Sequence, residues 1–83
     1  MTRTINYKNK SYNGIFVSTF KGYDIYIDRI ERLAILMGSF NEVKAIVKLE
    51  TYQIDVLLDD EDDKFLDELE RLENRFENEM YNE

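Results

Sequence analysis

The chain contains no cysteine, histidine, proline or tryptophan. Each absence removes a class of chemistry. Without Cys there is no disulfide to staple the fold and no thiolate to hold a metal. Without His the commonest zinc ligand and the commonest general base are gone, and the thiol nucleophile goes with Cys. Without Pro nothing stiffens or punctuates a linker. The chain is therefore read as a single domain, residues 1–83, with a β-rich body over 1–54 and an acidic run and terminal helix over 55–83. Only three glycines are present, Gly14, Gly22 and Gly38; they are isolated, form no phosphate loop, and read as turn residues. No stretch approaches the roughly 20 apolar residues that a membrane span needs, and Met1-Thr2-Arg3-Thr4 leads into polar sequence. These absences predict a cytoplasmic protein that is not an enzyme, carries no cofactor or metal, and acts by binding another macromolecule.

What is present is charge, unevenly placed. At 83 residues the chain can bury only about 60–65% of the surface its unfolded form exposes, so its core is thin. Its net charge of −7 conceals a division. From Met1 to Ile54 eight Lys or Arg face five acids, a balance of +3; from Asp55 to Glu83 thirteen acids face Lys64, Arg71 and Arg75, a balance of −10. Such asymmetry bears on partners and association rates, not on fold.

The first half reads as β-structure. Thr4 to Tyr7 and Ser11-Tyr12 flank polar Lys8-Asn9-Lys10, a short hairpin or irregular edge. Asn13-Gly14 reads as a turn, because both residues tolerate positive φ. Ile15 to Phe20 and Tyr23 to Ile27, rich in β-branched and aromatic residues and separated by Lys21-Gly22, form a second hairpin. Leu33 to Met37 is a further strand, more buried because all five residues are apolar. The expected fold class is α+β, with an antiparallel sheet of three to four strands over residues 4–37.

Two helices are expected behind it. Ser39, with Glu42 three residues on, has the capping-box form, and Val43, Ile46 and Val47 follow at i, i+3, i+4, which predicts a sheet-packed helix at about 40–51. Ile54 to Leu58 reads as a strand or a linker. Phe65, Leu69, Leu72, Phe76 and Met80 recur at spacings of 4, 3, 4 and 4 on an otherwise charged segment, predicting an amphipathic acidic helix at about 62–80. Asp67 and Arg71, and Glu68 and Arg71, are spaced to pair along it.

Two chemical readings are weak. Asp59, Glu61, Asp63 and Glu70 match a calcium-loop spacing, but Lys64 stands where that loop requires Gly, so a solvated helix start is the better account. Tyr7, Tyr12, Phe16, Phe20, Tyr23 and Tyr26 lie among lysines, as in sheets that stack RNA bases. Core packing explains them more simply, and a −7 chain repels a phosphate backbone, so no direct nucleic-acid binding is expected.

The functional expectation therefore rests on the acidic segment. Asp59, Asp60, Glu61, Asp62 and Asp63, continued by Asp67, Glu68, Glu70, Glu73 and Glu77, form a surface complementary to the groove of a basic nucleic-acid-binding protein. The alternative is a structural or adaptor protein that forms a homo-oligomer through Phe65, Leu69, Leu72 and Phe76; the third reading is an RNA-binding sheet face. A short acidic chain lacking Cys, His, Trp and Pro and rich in Asn, Ile, Lys and Tyr resembles proteins carried by phages and mobile elements of AT-rich bacteria. Among these are anti-CRISPR proteins and other DNA-mimic inhibitors. The resemblance rests on composition and the acidic tail. It implies inhibition of a nucleic-acid enzyme in the cytoplasm of a bacterial host.

Overall fold

The computed structural model describes residues 1–81; Asn82 and Glu83, the end of the acidic segment, lie outside the described residues. Five strands, β1 (Thr2–Tyr7), β2 (Lys10–Phe20), β3 (Tyr23–Asp28), β4 (Leu33–Met37) and β5 (Val43–Lys48), form one antiparallel meander in sequence order. Two helices follow, α1 (Thr51–Leu57) and α2 (Phe65–Tyr81). The α+β class holds, with five strands in place of three to four.

The first two hairpins follow from their turn residues. Tyr7 pairs with Lys10 and Phe20 with Tyr23, leaving two-residue loops. Lys8 and Asn9 adopt φ of 50° and 63°, and Lys21 and Gly22 adopt 54° and 83°. Positive φ at both loop residues is what a type I′ turn requires, and its twist matches that of the strands it joins. Asn13-Gly14, in contrast, is no turn: both residues lie inside β2, paired with Thr4 and Arg3. Gly14 is needed there because a Cβ would stand 2.9 Å from Ile5 Cδ1 and 3.0 Å from Tyr26 Cβ. Glycine in a strand marks close approach as often as a turn.

The long strand β2 sets the shape of the sheet. Its first half pairs with β1 and its second half with β3, with an irregularity between Phe16 and Ser18. Such a bulge bends the strand and increases its twist, and the sheet curls. Ile5 on β1 accordingly joins Tyr26, Ile35 and Met37 in one buried cluster. In a flat sheet β1 and the β4–β5 turn would stand about 14 Å apart, three strand spacings, whereas Arg3 Nη2 on β1 lies 2.8 Å from Asn41 Oδ1 in that turn.

The segment expected as a helix at 40–51 is instead β5. Glu42 does not close a helical capping box. Its carboxylate accepts the Phe40 N–H at 2.9 Å, and its carbonyl accepts the Gly38 N–H at 2.8 Å, closing a turn in which Asn41 has φ 62°. Val43 and Ile46 then pack with the concave cluster while Ala45 and Val47 enter the helix-covered core. Val43 and Ile46 share a face although three residues apart, because the register shifts between Leu36 and Met37 and leaves Lys44 unpaired in the ladder; β-branched residues on both faces suit a pleated surface. The reciprocal cap lies further on: Glu50 donates its N–H to Gln53 Oε1 at 2.8 Å, and α1 begins at Thr51, through the stretch read as strand or linker.

The helices cover the convex face. Ile54 and Leu57 of α1 and Leu72 and Phe76 of α2 are buried against Ile25, Ile27, Ala34, Leu36 and Val47, with Leu69 and Met80 packed on the margin. Burying a Leu or Phe side chain contributes about 1.5–3 kcal/mol. Of the stripe read as a surface for homo-oligomer formation, Leu72 and Phe76 are 2% and 0% exposed and face the chain's own sheet, while Phe65 and Leu69 are half-buried. Among the described residues no helix is long and apolar enough to cross a membrane.

Candidate functional site

The acidic run forms the connection between the helices, and its geometry is set by its own carboxylates. Asp59 Oδ1 accepts the Glu61 N–H at 3.1 Å and Asp62 Oδ1 accepts the Lys64 N–H at 2.8 Å, while the Asp59 carbonyl accepts the Asp62 N–H at 3.1 Å. Asp side chains favour such local turns over continuing a helix. This is why α2 starts at Phe65 and not nearer 62. Asp59 and Asp62 thus build the loop, and the exposed Asp60, Glu61 and Asp63 are displayed by it.

The acids continue along one flank of α2. At about 100° per residue, Asp67, Glu70, Glu73 and Glu77 fall within an arc of about 120°, whereas Arg71 and Arg75 lie on the other side of Asp67. The helix is therefore split into a flank of acids and a flank that carries Arg71 and Arg75 together with Glu68 and Glu79. Glu73 is held above the ordinary carboxylate range, first by burial and then by the negative charge of Glu70. Both causes disfavour the charged form. Glu77 is partly offset, since its carboxylate lies 3.3 Å from Lys21 Nζ across an exposed pair.

Glu68 does not belong to this surface and must be removed from it. It is 5% exposed, turned toward α1, accepting from Arg71 Nη1 at 2.9 Å and from the Gln53 amide at 3.5 Å. One residue beyond Asp67 is enough to carry a side chain from the open flank to the seam between the helices. The pair Arg71 forms is thus with Glu68, not with Asp67, among the described residues. None of Asp59, Asp60, Glu61, Asp62, Asp63, Asp67, Glu70 and Glu73 makes a salt bridge among the described residues. Their charge is left to solvent or to a partner. Among the described residues no group of acids is arranged to hold a metal ion.

The aromatic residues of the sheet are differently engaged. Phe16 meets Tyr26 edge-on, with centroids 5.7 Å apart and planes at 72°, and the Arg3 guanidinium lies 5.4 Å from the Tyr26 centroid. Tyr26 is buried in the concave cluster. Lys8, Lys10, Lys21 and Lys44 stand over Tyr7, Tyr12, Phe20 and Tyr23 at 5.2–5.6 Å. Their basic and aromatic groups are paired with each other. Compared with protein families, curated proteins and solved structures, the chain matches none of them.

Proposed function

We propose that the chain is a non-enzymatic binding protein that inhibits a nucleic-acid-binding protein or nuclease by presenting an acidic, phosphate-like surface to its basic groove. The observation that carries this reading is the uncompensated flank: Asp60, Glu61, Asp63, Asp67, Glu70 and Glu73 follow one another from the loop along α2 without a cation partner among the described residues. Steps of three residues advance about 4.5 Å along a helix, against one phosphate per about 3.4 Å of axis along a strand of B-DNA. The two spacings differ by about 1 Å a step, so the likeness is one of charge density along a line rather than of phosphate positions matched one for one. The assembly reading has less behind it, because Leu72 and Phe76 are already buried in the chain's own core.

Competition tests the proposal. The chain should displace duplex DNA from a CRISPR effector nuclease or another enzyme with a basic channel, with an affinity that falls steeply as salt rises. Changing Asp60, Glu61, Asp63, Asp67 and Glu70 to Asn or Gln leaves the loop-building Asp59 and Asp62 in place. This variant should associate more slowly and lose most of the salt dependence. Equal displacement by the neutralised chain would return the flank to the role of a solvated face.

A further inference from the structure

A cleft of about 490 Å³ lies on the side of α2 that carries Arg75, bounded by the β3–β4 turn, the end of β5 and the start of α1. Its volume is in the range of small-molecule sites, about 300–1,000 Å³. Arg32 enters from the turn, Lys48 from the last position of β5, and Arg75 from α2. The sheet holds the first two together: Leu33 pairs with Lys48, and the Leu49 N–H donates to the Arg32 carbonyl at 2.9 Å. The wall between them and α1 carries Tyr52, 60% exposed.

Three observations characterise this cleft. First, none of Arg32, Lys48 and Arg75 forms a salt bridge or a side-chain hydrogen bond among the described residues; Lys8, Arg29 and Lys64 also lack one, but these three line one cleft: Arg32, Lys48 and Arg75. Second, Arg32 has φ 56° in the β3–β4 turn, as Lys8 and Lys21 have 50° and 54° in theirs, a conformation in which Asn is at ease, so the turn fixes where the Arg32 side chain leaves the backbone. Third, Tyr52 is not covered by any of the lysines that lie over the tyrosines of the sheet. Two carboxylates share the rim. Glu31 is already paired with Lys10 at 2.9 Å, and Glu50 caps α1, leaving the cations in excess. The neighbouring cleft of about 440 Å³ lacks this character, since its Arg71 is taken by Glu68.

We propose that this cleft binds a small phosphate ester carried on a flat ring, with a mononucleotide as the type ligand. Arg32, Lys48 and Arg75 receive the phosphate, the guanidinium groups as paired N–H donors matched to its oxygens. Tyr52 stacks against the ring. A single nucleotide suits a cleft of about 490 Å³, whereas a polymer would bring a run of phosphates against a chain of net charge −7. The site is independent of the acidic flank and can stand or fall without it.

The test uses the full chain and four probes: AMP, inorganic phosphate, adenosine and a single-stranded RNA ten-mer, followed by NMR titration and melting temperature. AMP should bind and raise the melting temperature, as any ligand of the native state alone must, and should bind more tightly than phosphate or adenosine. Arg32→Asn keeps the left-handed backbone and should fold with unchanged stability, yet it and Arg75→Gln should each weaken AMP by about tenfold. Tyr52→Ala should weaken AMP while leaving phosphate unchanged. Arg29→Gln, an exposed arginine outside the cleft, should change nothing. Absence of AMP-induced shifts at the cleft, or AMP affinity unaltered in Arg32→Asn and Arg75→Gln, overturns the site. Tighter binding of the RNA than of AMP replaces the small ligand with a nucleic acid, and phosphate bound as well as AMP removes the ring from the proposal.

Discussion

Arg3 Nη2 donates to Asn41 Oδ1 at 2.8 Å, joining β1 to the β4–β5 turn across 38 positions of sequence. The same guanidinium covers Tyr26, so one side chain closes the concave core and holds the turn beside it. Asn41 in turn occupies φ 62°, which Asn tolerates and Ala does not. Asn41→Gly should keep the turn but lose the acceptor, lowering stability by about 0.5–1.5 kcal/mol. Asn41→Ala should lose about 1 kcal/mol more through backbone strain. Urea denaturation measures both, and a Gly variant as stable as the parent would show that the hydrogen bond contributes nothing.

The buried positions of α2 should dominate its mutational response. Phe76→Ala should cost about 3–5 kcal/mol and Leu72→Ala about 2–5 kcal/mol, because each leaves a cavity under the helix. Leu66→Ala, at a site 73% exposed on the same helix, should change stability by no more than about 0.5 kcal/mol. Were Leu66 as sensitive as Leu72, the helix would be packed on the wrong face.

Gly14→Ala tests the close approach of β1, β2 and β3. The added methyl meets Ile5 Cδ1 and the Tyr26 Cβ, and the latter is fixed by its own strand. Overpacking of this kind costs about 1–3 kcal/mol. A variant more stable than the parent would mean that the strands part easily there.

The elements that the sequence made legible are those whose local and global signals agree. Lys21-Gly22 marked a hairpin because its turn chemistry and flanking β-formers point the same way, and the Phe65 to Met80 stripe marked a helix because its period is carried through four turns. Val43, Ile46 and Val47 misled because three apolar residues at i, i+3, i+4 also fit a strand that is buried on both faces. The register shift opposite Lys44, which brings Val43 and Ile46 onto one face of β5, is what lets a helical spacing fit a strand. Of the acidic site, exposure followed from sequence for most members, but Glu68 required knowing where α1 lies. The cationic cleft was invisible for a plainer reason. Arg32, Lys48 and Arg75 belong to a turn, a strand and a helix, and no spacing along the chain anticipates their meeting.

The pH dependence of stability follows from three shifted groups. Glu73 is raised above the ordinary carboxylate range by burial and by Glu70, so the folded chain holds its proton more tightly than the unfolded chain does, and stability rises as pH falls toward that value. Glu42 runs the other way. Its own backbone N–H, then that of Phe40 and the charge of Lys44 hold it below the ordinary range against the opposing effect of desolvation. The stability it contributes is present above the ordinary carboxylate pKa and is lost as pH falls through the lowered value. Lys10 is raised by its hydrogen bond and charge interaction with Glu31, so its contribution persists below the ordinary lysine pKa and disappears only in strong base. Melting temperature should therefore climb as pH falls from neutrality toward the ordinary carboxylate range and decline once pH falls below that range. Glu73→Gln should raise stability at neutral pH and flatten the climb, whereas Glu42→Gln should lower it and flatten the decline. A parent profile that falls steadily from neutrality, or a climb that Glu73→Gln leaves intact, would show that paired carboxylates outweigh the repelled flank and that the field offered to a partner is weaker than the geometry implies.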